Sequence, residues 1–473
     1  MTTKDAFYRK TLYACADGAL GQKLTVATDR QLEARQLICE ELADVEKFRD
    51  LAASLRDDVL SNLDRYLSEF VRNVQSAGVH VHWAEDARQA REIICRIAKE
   101  HKVSNVVKAK SMISEEIGLT TALQREQIEV TETDLGEFII QLTGQKPSHI
   151  VLPAIHLSAA EVAQIFSEKI GYGGAADPQS LTRAARKYLR EKFRAAQMGI
   201  SGVNFAIAEQ GMWTVCTNEG NGRYVTGLPK VYLGLMGIER IVPGIDSAAV
   251  ILKMLAKFAT GQRITQYTNI VRGPADGDGP EHVYLVILDN GRSRILGTKY
   301  WKMLRCIRCG ACLNVCPVFN HIGGQSFPGC YSGPMGSVLL PLLMGLKKAG
   351  STSKACSLCS ICSEVCPVEI PLPDFVLELR NDLVKAGRYN ILERVAMSLG
   401  AWVMQHPVLY RLGQGMMRLG LKPFSKAGWV RWLPSIPGQW TKVKDLPLPA
   451  KKSFLADKSA GCRNARGRSS NEK

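Results

Sequence analysis

The residues of this chain best suited to chemistry are its cysteines. Fourteen occur in 473 residues, and nine of them fall between Cys306 and Cys366. Eight of these nine form two copies of the spacing CxxCxxCxxxCP, namely Cys306, Cys309, Cys312 and Cys316 in the first run, and Cys356, Cys359, Cys362 and Cys366 in the second. Thiolates are ligands for soft metal centres, so the repeated spacing indicates metal binding.

The spacing is typical of bacterial ferredoxins that hold two [4Fe-4S] clusters, in which the fourth cysteine of each run ligates the other cluster. It therefore predicts two crossed ligand sets, one made of Cys306, Cys309, Cys312 and Cys366, the other of Cys356, Cys359, Cys362 and Cys316. A pair of zinc knuckles is the alternative, but zinc needs four ligands per metal in a CxxC...CxxC arrangement. Two neighbouring clusters indicate electron relay.

Crossed ligation constrains the chain around the cysteines, because each cluster takes residues from both runs. The 39 residues between Cys316 and Cys356 must then fold into a compact unit. We expect a loop at Ile322–Gly329, a helix around Ser337–Lys348, and a helix starting at the fourth cysteine of each run. The region is predicted to be a mainly helical ferredoxin domain.

The other six cysteines are expected to be small buried hydrophobes or tail residues, since reduced thiols are the rule in the cytoplasm. They are Cys15, Cys39, Cys95, Cys216, Cys330 and Cys462. Cys330 lies nearest to the cysteine runs and is the one with a candidate functional role.

The sequence before residue 300 alternates strand and helix patterns. An apolar stripe at helical spacing within Gln31–Val74 predicts one or two long helices. Further along, strands are predicted at 79–83, 105–107, 128–130, 149–152, 212–216 and 283–288, with helices at 86–99, 114–126 and 136–142. This alternation favours a mainly parallel α/β sheet covered on both faces.

Ligands of such sheets bind in loops beyond the carboxyl ends of the strands. Three polar, glycine-containing loops are candidates for a small-anion pocket, although each alone is more often a turn or a helix cap. They are Lys108, Lys110 and Ser111; Glu132, Thr133, Asp134 and Gly136; and 218–223, which contains Asn218 and Glu219. His149 and His156 are candidates for acid-base chemistry near neutral pH, against the commoner structural role.

Charge and hydropathy narrow the function classes. Lys and Arg number 61 against 45 acidic residues, a net charge of +16, but part of the excess lies in 451–473 and no nucleic-acid-binding motif accompanies it. No nucleic-acid partner is therefore expected. We find no apolar run long enough to span a membrane and no apolar signal core at the N-terminus, which predicts a cytoplasmic protein.

These patterns predict five segments. Residues 1–75 form an N-terminal helical region, 76–295 the α/β domain, 296–385 the two-cluster domain, 386–450 a C-terminal helical region, and 451–473 a disordered basic tail. The helical pair expected within 392–421 is predicted to dock on the cluster domain, with a partner subunit or a membrane surface as the alternative.

The segments KAKSMISEEIGL, ETDLGEFIIQL, PSHIVLPAIH, TNEGNGR, CIRCGACLNVCPV and CSEVCPVEIP resemble the family of lactate utilisation protein B, the iron-sulfur subunit of a bacterial system. The resemblance covers roughly 52–382, and the sequence after about Lys422 is expected to be particular to this chain. It implies an isomerase and CoA-transferase type of α/β fold, eight ligating cysteines, and work with other subunits to oxidise L-lactate to pyruvate. Relatives often carry GGH where this chain has Gly323, Gly324 and Gln325.

Two functions of different class follow. The first is an electron-transfer subunit of a lactate-oxidising complex, relaying electrons through two [4Fe-4S] clusters to a quinone-linked or membrane-peripheral acceptor. The second is a non-catalytic iron-sulfur sensor or scaffold. Nearby cations such as Arg305 and Arg308 are expected to favour the more negative, reduced state of the clusters.

Overall fold

A computed structural model describes residues 3–42, 44–387, 391–434, 441 and 444–450. The chain divides into two compact units, Met1–Ala386 and Gly387–Lys473. The predicted basic tail at 451–473, and Cys462 with it, lies outside the described residues. The division into five segments stays a prediction.

The described residues before the first strand form four helices, and the predicted apolar stripe is shared by the second, third and fourth. They are α1 (Thr3–Ala16), α2 (Gly18–Glu40), α3 (Val45–Ser61) and α4 (Leu63–Ser76). The carboxylate of Asp44 accepts a hydrogen bond from the Lys47 backbone N–H and so caps α3, which breaks the helix that periodicity alone would continue.

Ten strands follow among the described residues of this unit. They are β1 (His80–Ala84), β2 (Asn105–Lys108), β3 (Glu129–Glu132), β4 (Met198–Gly202), β5 (Phe205–Ile207), β6 (Met212–Thr217), β7 (Val231–Gly237), β8 (Ile241–Val242), β9 (Tyr267–Val271) and β10 (His282–Leu288). Six of them form one all-parallel sheet in the order β1-β10-β7-β4-β2-β3. The predicted parallel α/β sheet is confirmed.

Helices cover both faces of this sheet, as its apolar strands require. One face packs against α4 through residues such as Phe70 and Val74, and the other packs against α5 and α7 through Ile94 and Leu123. The helices of this part are α5 (Ala87–Glu100), α6 (Met112–Glu116), α7 (Leu119–Arg125), α8 (Leu135–Thr143), α9 (Ala159–Ile170), α10 (Pro178–Ala195), α11 (Asn221–Gly227) and α12 (Ile245–Thr260).

The remaining strands form a second, mixed sheet in the order β8-β5-β6-β9. The predicted strand at 212–216 belongs here as β6, paired antiparallel with β5 and β9. Strands as short as β5 and β8 show too few residues for a period to be recognised, so the sequence did not indicate this sheet.

The predicted strand at 149–152 is wrong, because this stretch is irregular. The imidazole Nδ1 of His149 accepts hydrogen bonds from the backbone N–H groups of Val151 and Leu152, both at 3.0 Å. These donors are therefore satisfied locally, and Pro153 follows directly, so no neighbouring strand is required.

The cysteine-bearing part of the unit is mainly helical, as predicted. Its helices are α13 (Arg292–Leu296), α14 (Ala311–Asn314), α15 (Pro317–Ile322), α16 (Gly333–Met344), α17 (Leu346–Ala349), α18 (Ile361–Glu364) and α19 (Leu372–Lys385), with short 3-10 helices at Trp301–Arg305 and Gly350–Lys354. Cys316 caps α15, as expected, but Cys366 begins a turn, and the next helix, α19, starts only at Leu372. A left-handed Glu369, with φ of 50°, ends any helical path there.

One hydrophobic core joins this part to the N-terminal helices and α12. It includes Leu24, Phe258, Phe319 and Val376, all buried. The cysteine runs are therefore anchored to the same core as the helices that precede the parallel sheet.

The second unit contains α20 (Ile391–Gln405), α21 (Pro407–Leu421), a 3-10 turn at Lys422–Phe424, and the short antiparallel strands β11 (Ser425–Lys426), β12 (Trp429–Val430) and β13 (Leu446–Pro447). The predicted helical pair is present, and it leaves Met397, Met404 and Met416 exposed. Among the described residues, none of the helices combines the length and apolarity needed to cross a bilayer.

Candidate metal centre

The two cysteine runs fold alike. The residue two positions after the first cysteine has a positive φ in both, 61° at Arg308 and 57° at Leu358. The residue after the second cysteine does too, 80° at Gly310 and 68° at Ser360. In each run a one-turn helix, α14 or α18, begins immediately afterwards. Left-handed conformations at three non-glycine residues are costly, so the wrapping of the loop must impose them.

The structure groups cysteines of one run with cysteines of the other, and the two ligand sets stay a prediction. A small cavity is lined by four of the eight, Cys306, Cys309 and Cys312 of the first run with Cys366 of the second. Burial raises the pKa of the Cys316 thiol, and the neighbouring thiols that raise it further are those of Cys356 and Cys359. Cys330 stands apart, with its Sγ 3.7 Å from the carbonyl oxygen of Met112.

The buried cysteine thiols are suited to bind a metal centre, whose positive charge stabilises their deprotonated form. Burial raises the pKa of Cys366 to about 11 and that of Cys362 to about 12, so neither ionises readily by itself. Metal coordination removes the thiol proton. Backbone N–H groups also face the sulfurs, at 3.4 Å from Phe319 N to Cys316 Sγ and from Ile370 N to Cys366 Sγ. Within the described residues, no three His, Cys, Asp or Glu side chains are grouped to hold a single metal ion.

Three buried or half-buried arginines hold the backbone of the second cysteine run. Arg49 donates to the carbonyl oxygens of Cys366 at 3.0 Å and Ser363 at 3.2 Å. Arg380 donates to Cys356 O at 2.7 Å, and Arg305 donates to Val368 O at 3.3 Å. Arg305 also pairs with Asp57, which offsets part of the charge expected to act on the clusters.

A cavity of about 300 Å³ adjoins the first cysteine run. Five strands of the parallel sheet, β2, β3, β4, β7 and β10, end beside it, as expected for a ligand site in an α/β sheet. The three predicted loops meet here, contributing Lys110, Ser111, Asp134, Asn218 and Glu219 to the lining. Lys108 and Glu132 do not reach it, because they form a buried ion pair of 2.7 Å.

Sequence reasoning missed the charged and polar groups at the end of the cavity next to the cysteines. They are Glu239 and Arg240, which follow β7, Arg292, which follows β10, and Tyr331, together with Arg308, which was expected only near the clusters. Glu239, Arg240 and Arg292 could have been identified because each lies within a few residues of the end of a buried strand.

Arg292 is the centre of a buried network at this end. Its guanidinium forms hydrogen bonds of 2.9 and 2.8 Å with the carboxylate of Glu116, and its Nε lies 2.8 Å from Glu239 Oε2. Asn290 and the Tyr331 hydroxyl donate to the same Glu116, both at 2.6 Å. Because Tyr331 lies between the cysteine runs, the network ties the parallel sheet to the cysteine-bearing part.

The two candidate histidines are neutral structural groups. Burial lowers the pKa of His149 to about 3 and that of His156 to about 4. His149 accepts two backbone hydrogen bonds, and His156 Nε2 lies 2.8 Å from Gln145 Oε1 and from Gln325 Nε2. With their pKa values so far below 7, neither is poised to exchange protons at neutral pH.

Glu137 on α8 gives a pH-dependent prediction. Burial raises its pKa from 4.5 to about 8, and its Oε1 has no hydrogen-bond partner. The folded state therefore binds more protons than the unfolded state between these values, so rising pH removes stability across that window. We expect the free energy of unfolding of Glu137→Gln to rise relative to that of the parent protein by about 1 kcal/mol per pH unit between pH 5.5 and 7.5. Anaerobic thermal melts at several pH values measure this, and a pH-independent difference between the two proteins would contradict it.

Comparison with known proteins places this arrangement in a family. The LUD domain matches residues 67–288, the 4Fe-4S dicluster domain matches 302–370, and the C-terminal domain of lactate utilisation protein B matches 380–457. The last match corrects the expectation that the sequence after Lys422 is particular to this chain.

Full-length relatives agree with the domain matches. Lactate utilization protein B of Bacillus licheniformis is 44% identical over 434 residues, which cover 90% of this chain and 91% of that protein. The protein of the same name from Bacillus subtilis is 41% identical over 455 residues, 95% of each chain. The resemblance found in the sequence is confirmed, and the chain belongs to the lactate utilisation protein B family.

Proposed function

We propose that this protein is the iron-sulfur electron-transfer subunit of a complex that oxidises L-lactate to pyruvate. The observation that carries the proposal is the grouping of Cys366 with Cys306, Cys309 and Cys312 around one cavity. This grouping is what two ferredoxin-type [4Fe-4S] clusters with exchanged fourth ligands require. The 4Fe-4S dicluster match supports the cofactor, and the names of the relatives support the substrate.

The residues of the chain have distinct tasks under this proposal. The eight cysteines hold the clusters, and the arginines at positions 49, 305 and 380 fix the carbonyl groups of the second run. The backbone N–H groups that face the sulfurs stabilise negative charge on them. When bound, each cluster accepts and releases one electron, so a pair of clusters matches the two electrons that lactate loses on becoming pyruvate.

Other subunits of the lactate-utilisation system are the proposed partners, and a quinone-linked acceptor is the proposed destination of the electrons. The partners are needed because neither candidate histidine of this chain is poised as a base at neutral pH.

The test is anaerobic purification with iron and sulfide counts, followed by electron paramagnetic resonance. We expect about eight irons per chain, and signals of reduced clusters after L-lactate is added together with the partner proteins. D-lactate and omission of the partners are the controls, and dithionite gives the fully reduced reference. Clusters that stay oxidised with L-lactate and partners would favour the sensor or scaffold, and a zinc-loaded protein would contradict both functions.

A further inference from the structure

The cationic end of the 300 Å³ cavity is formed by Arg240 and Arg308. Arg308 lies between the first two cysteines of the first run, and its side chain is 9% exposed. Its Nη1 is buried without a hydrogen-bond partner, while Nη2 lies 3.6 Å from Glu239 Oε1. A buried guanidinium N–H without an acceptor is costly, so an acceptor is missing at this position.

Arg240 is in a similar state. Its side chain is 12% exposed, and the nearest carboxylate oxygen, Glu239 Oε1, lies 3.8 Å from its Nε, beyond hydrogen-bonding distance. Its guanidinium stacks over Phe205 at 5.9 Å and donates no hydrogen bond within the described part of the chain. The like charge of Arg308 adds to burial in lowering the pKa of Arg240, which indicates that the two guanidinium groups are close.

Glu239 does not neutralise both arginines, because Arg292 already holds it at 2.8 Å. Arg292 in turn shares its charge with Glu116. Three guanidinium groups, those of Arg240, Arg292 and Arg308, therefore face two carboxylates at this end of the cavity. Among the side chains of the cavity lining, one positive charge is therefore left over. A cluster held at Cys306 would offset part of it, but Arg308 Nη1 has no hydrogen-bond acceptor in the protein.

The other charged groups of the cavity leave this surplus in place. Lys110 donates to the carbonyl oxygen of Val151, and Asp134 lies beside Glu219. Burial, followed by the charge of Asp134, raises the pKa of Glu219 to about 7, so this pair is partly protonated at neutral pH. Between the two ends the lining includes apolar side chains such as Val203 and Leu255.

We propose that this cavity binds a small monocarboxylate, with its carboxylate group between Arg240 and Arg308. Planar guanidinium groups recognise a carboxylate through paired hydrogen bonds, and a bound carboxylate supplies the acceptors that these two arginines lack. The cavity has the volume of a small-molecule site. Its narrower assignment to a 2-hydroxy or 2-oxo acid rests on the proposed function, and Arg308 would then join the bound acid to the first cysteine run.

The test is calorimetric titration of the anaerobically purified full-length protein with L-lactate, pyruvate, L-alanine and inorganic phosphate. We expect saturable one-to-one binding of lactate or pyruvate, weaker binding of the isosteric zwitterion alanine, and weaker binding of phosphate. Arg240→Gln should weaken the carboxylate by about thirtyfold, the cost of a charge-assisted hydrogen-bonded pair. Arg263→Gln is the control, because Arg263 is exposed and pairs with Glu41 at the surface.

Arg240→Lys keeps the positive charge but not the planar guanidinium group. If the two arginines bind a carboxylate, this variant should lose less affinity than Arg240→Gln. Iron content and the cluster spectrum of each variant verify folding. Wild-type binding in Arg240→Gln, no saturable binding, or a preference for alanine or phosphate would overturn the proposal.

The site and the proposed function can fail separately. If a carboxylate binds and its binding depends on Arg240, but lactate never reduces the clusters, the binding site is supported and the electron-transfer function is not. If lactate reduces the clusters equally well in the parent protein and in Arg240→Gln, the electron-transfer function is supported and the binding site is not.

Discussion

The double variant Cys309→Ala/Cys366→Ala is expected to keep about four irons per chain, whereas Cys309→Ala/Cys316→Ala is expected to keep none. Under crossed ligation the first pair removes two ligands from one cluster and leaves the other complete. The second pair removes one ligand from each cluster. Anaerobic iron and sulfide counts measure the difference, and paramagnetic resonance of the dithionite-reduced proteins shows which signal remains.

The reasons for this expectation lie in the burial and neighbours of the thiols. Cys366 lines the same cavity as Cys309, and after burial its thiol is the next largest contribution that raises the Cys309 pKa. Cys95→Ala is the control, since Cys95 lies on α5 far along the chain from both runs. The opposite pattern, with Cys309→Ala/Cys316→Ala retaining one intact cluster, would show that each run ligates its own cluster.

Arg292→Leu is expected to lower the free energy of unfolding by about 3–5 kcal/mol, the cost of leaving buried charges unpaired. Arg292, Glu116 and Glu239 are 2%, 7% and 2% exposed, so solvent cannot replace the lost partner. Anaerobic urea unfolding followed by tryptophan fluorescence measures the change, because Trp213 is fully buried in the same unit.

Arg294→Leu is the matched control for this variant. Arg294 lies on the same short helix, α13, two residues away, but it is exposed. Its replacement should change stability by no more than about 0.5 kcal/mol. Equal effects of the two substitutions would mean that the network is not the source of the loss.

The predicted parts of the fold are those with a strong local signal. The strands β2 and β10 carry buried apolar residues on both faces, and the Asp86 carboxylate caps α5 by accepting a hydrogen bond from Gln89 N. The helix predicted at 114–126 is divided, since Gly118 adopts φ of 64° and separates α6 from α7. A single glycine gives little indication of such a break before the structure is known.

The three pocket loops were accessible from the sequence because strand order determines where they lie, and the spacing of the cysteines predicts their sets. The charged end of the cavity was not accessible from the sequence. Arg240 and Arg292 read as surface charges, since arginine is rarely buried without a partner. Only the tertiary structure shows that the ends of β7 and β10 bring them beside Arg308.

The two cysteine runs share one conformation but have different surroundings. Cys309 is buried at 7% exposure next to the carboxylate cavity, whereas its counterpart Cys359 is exposed. Under the proposed function, this difference in exposure gives the protein one cysteine run in its interior and one at its surface. Electrons received near the buried run would leave through the exposed run, at a face that a redox partner can approach.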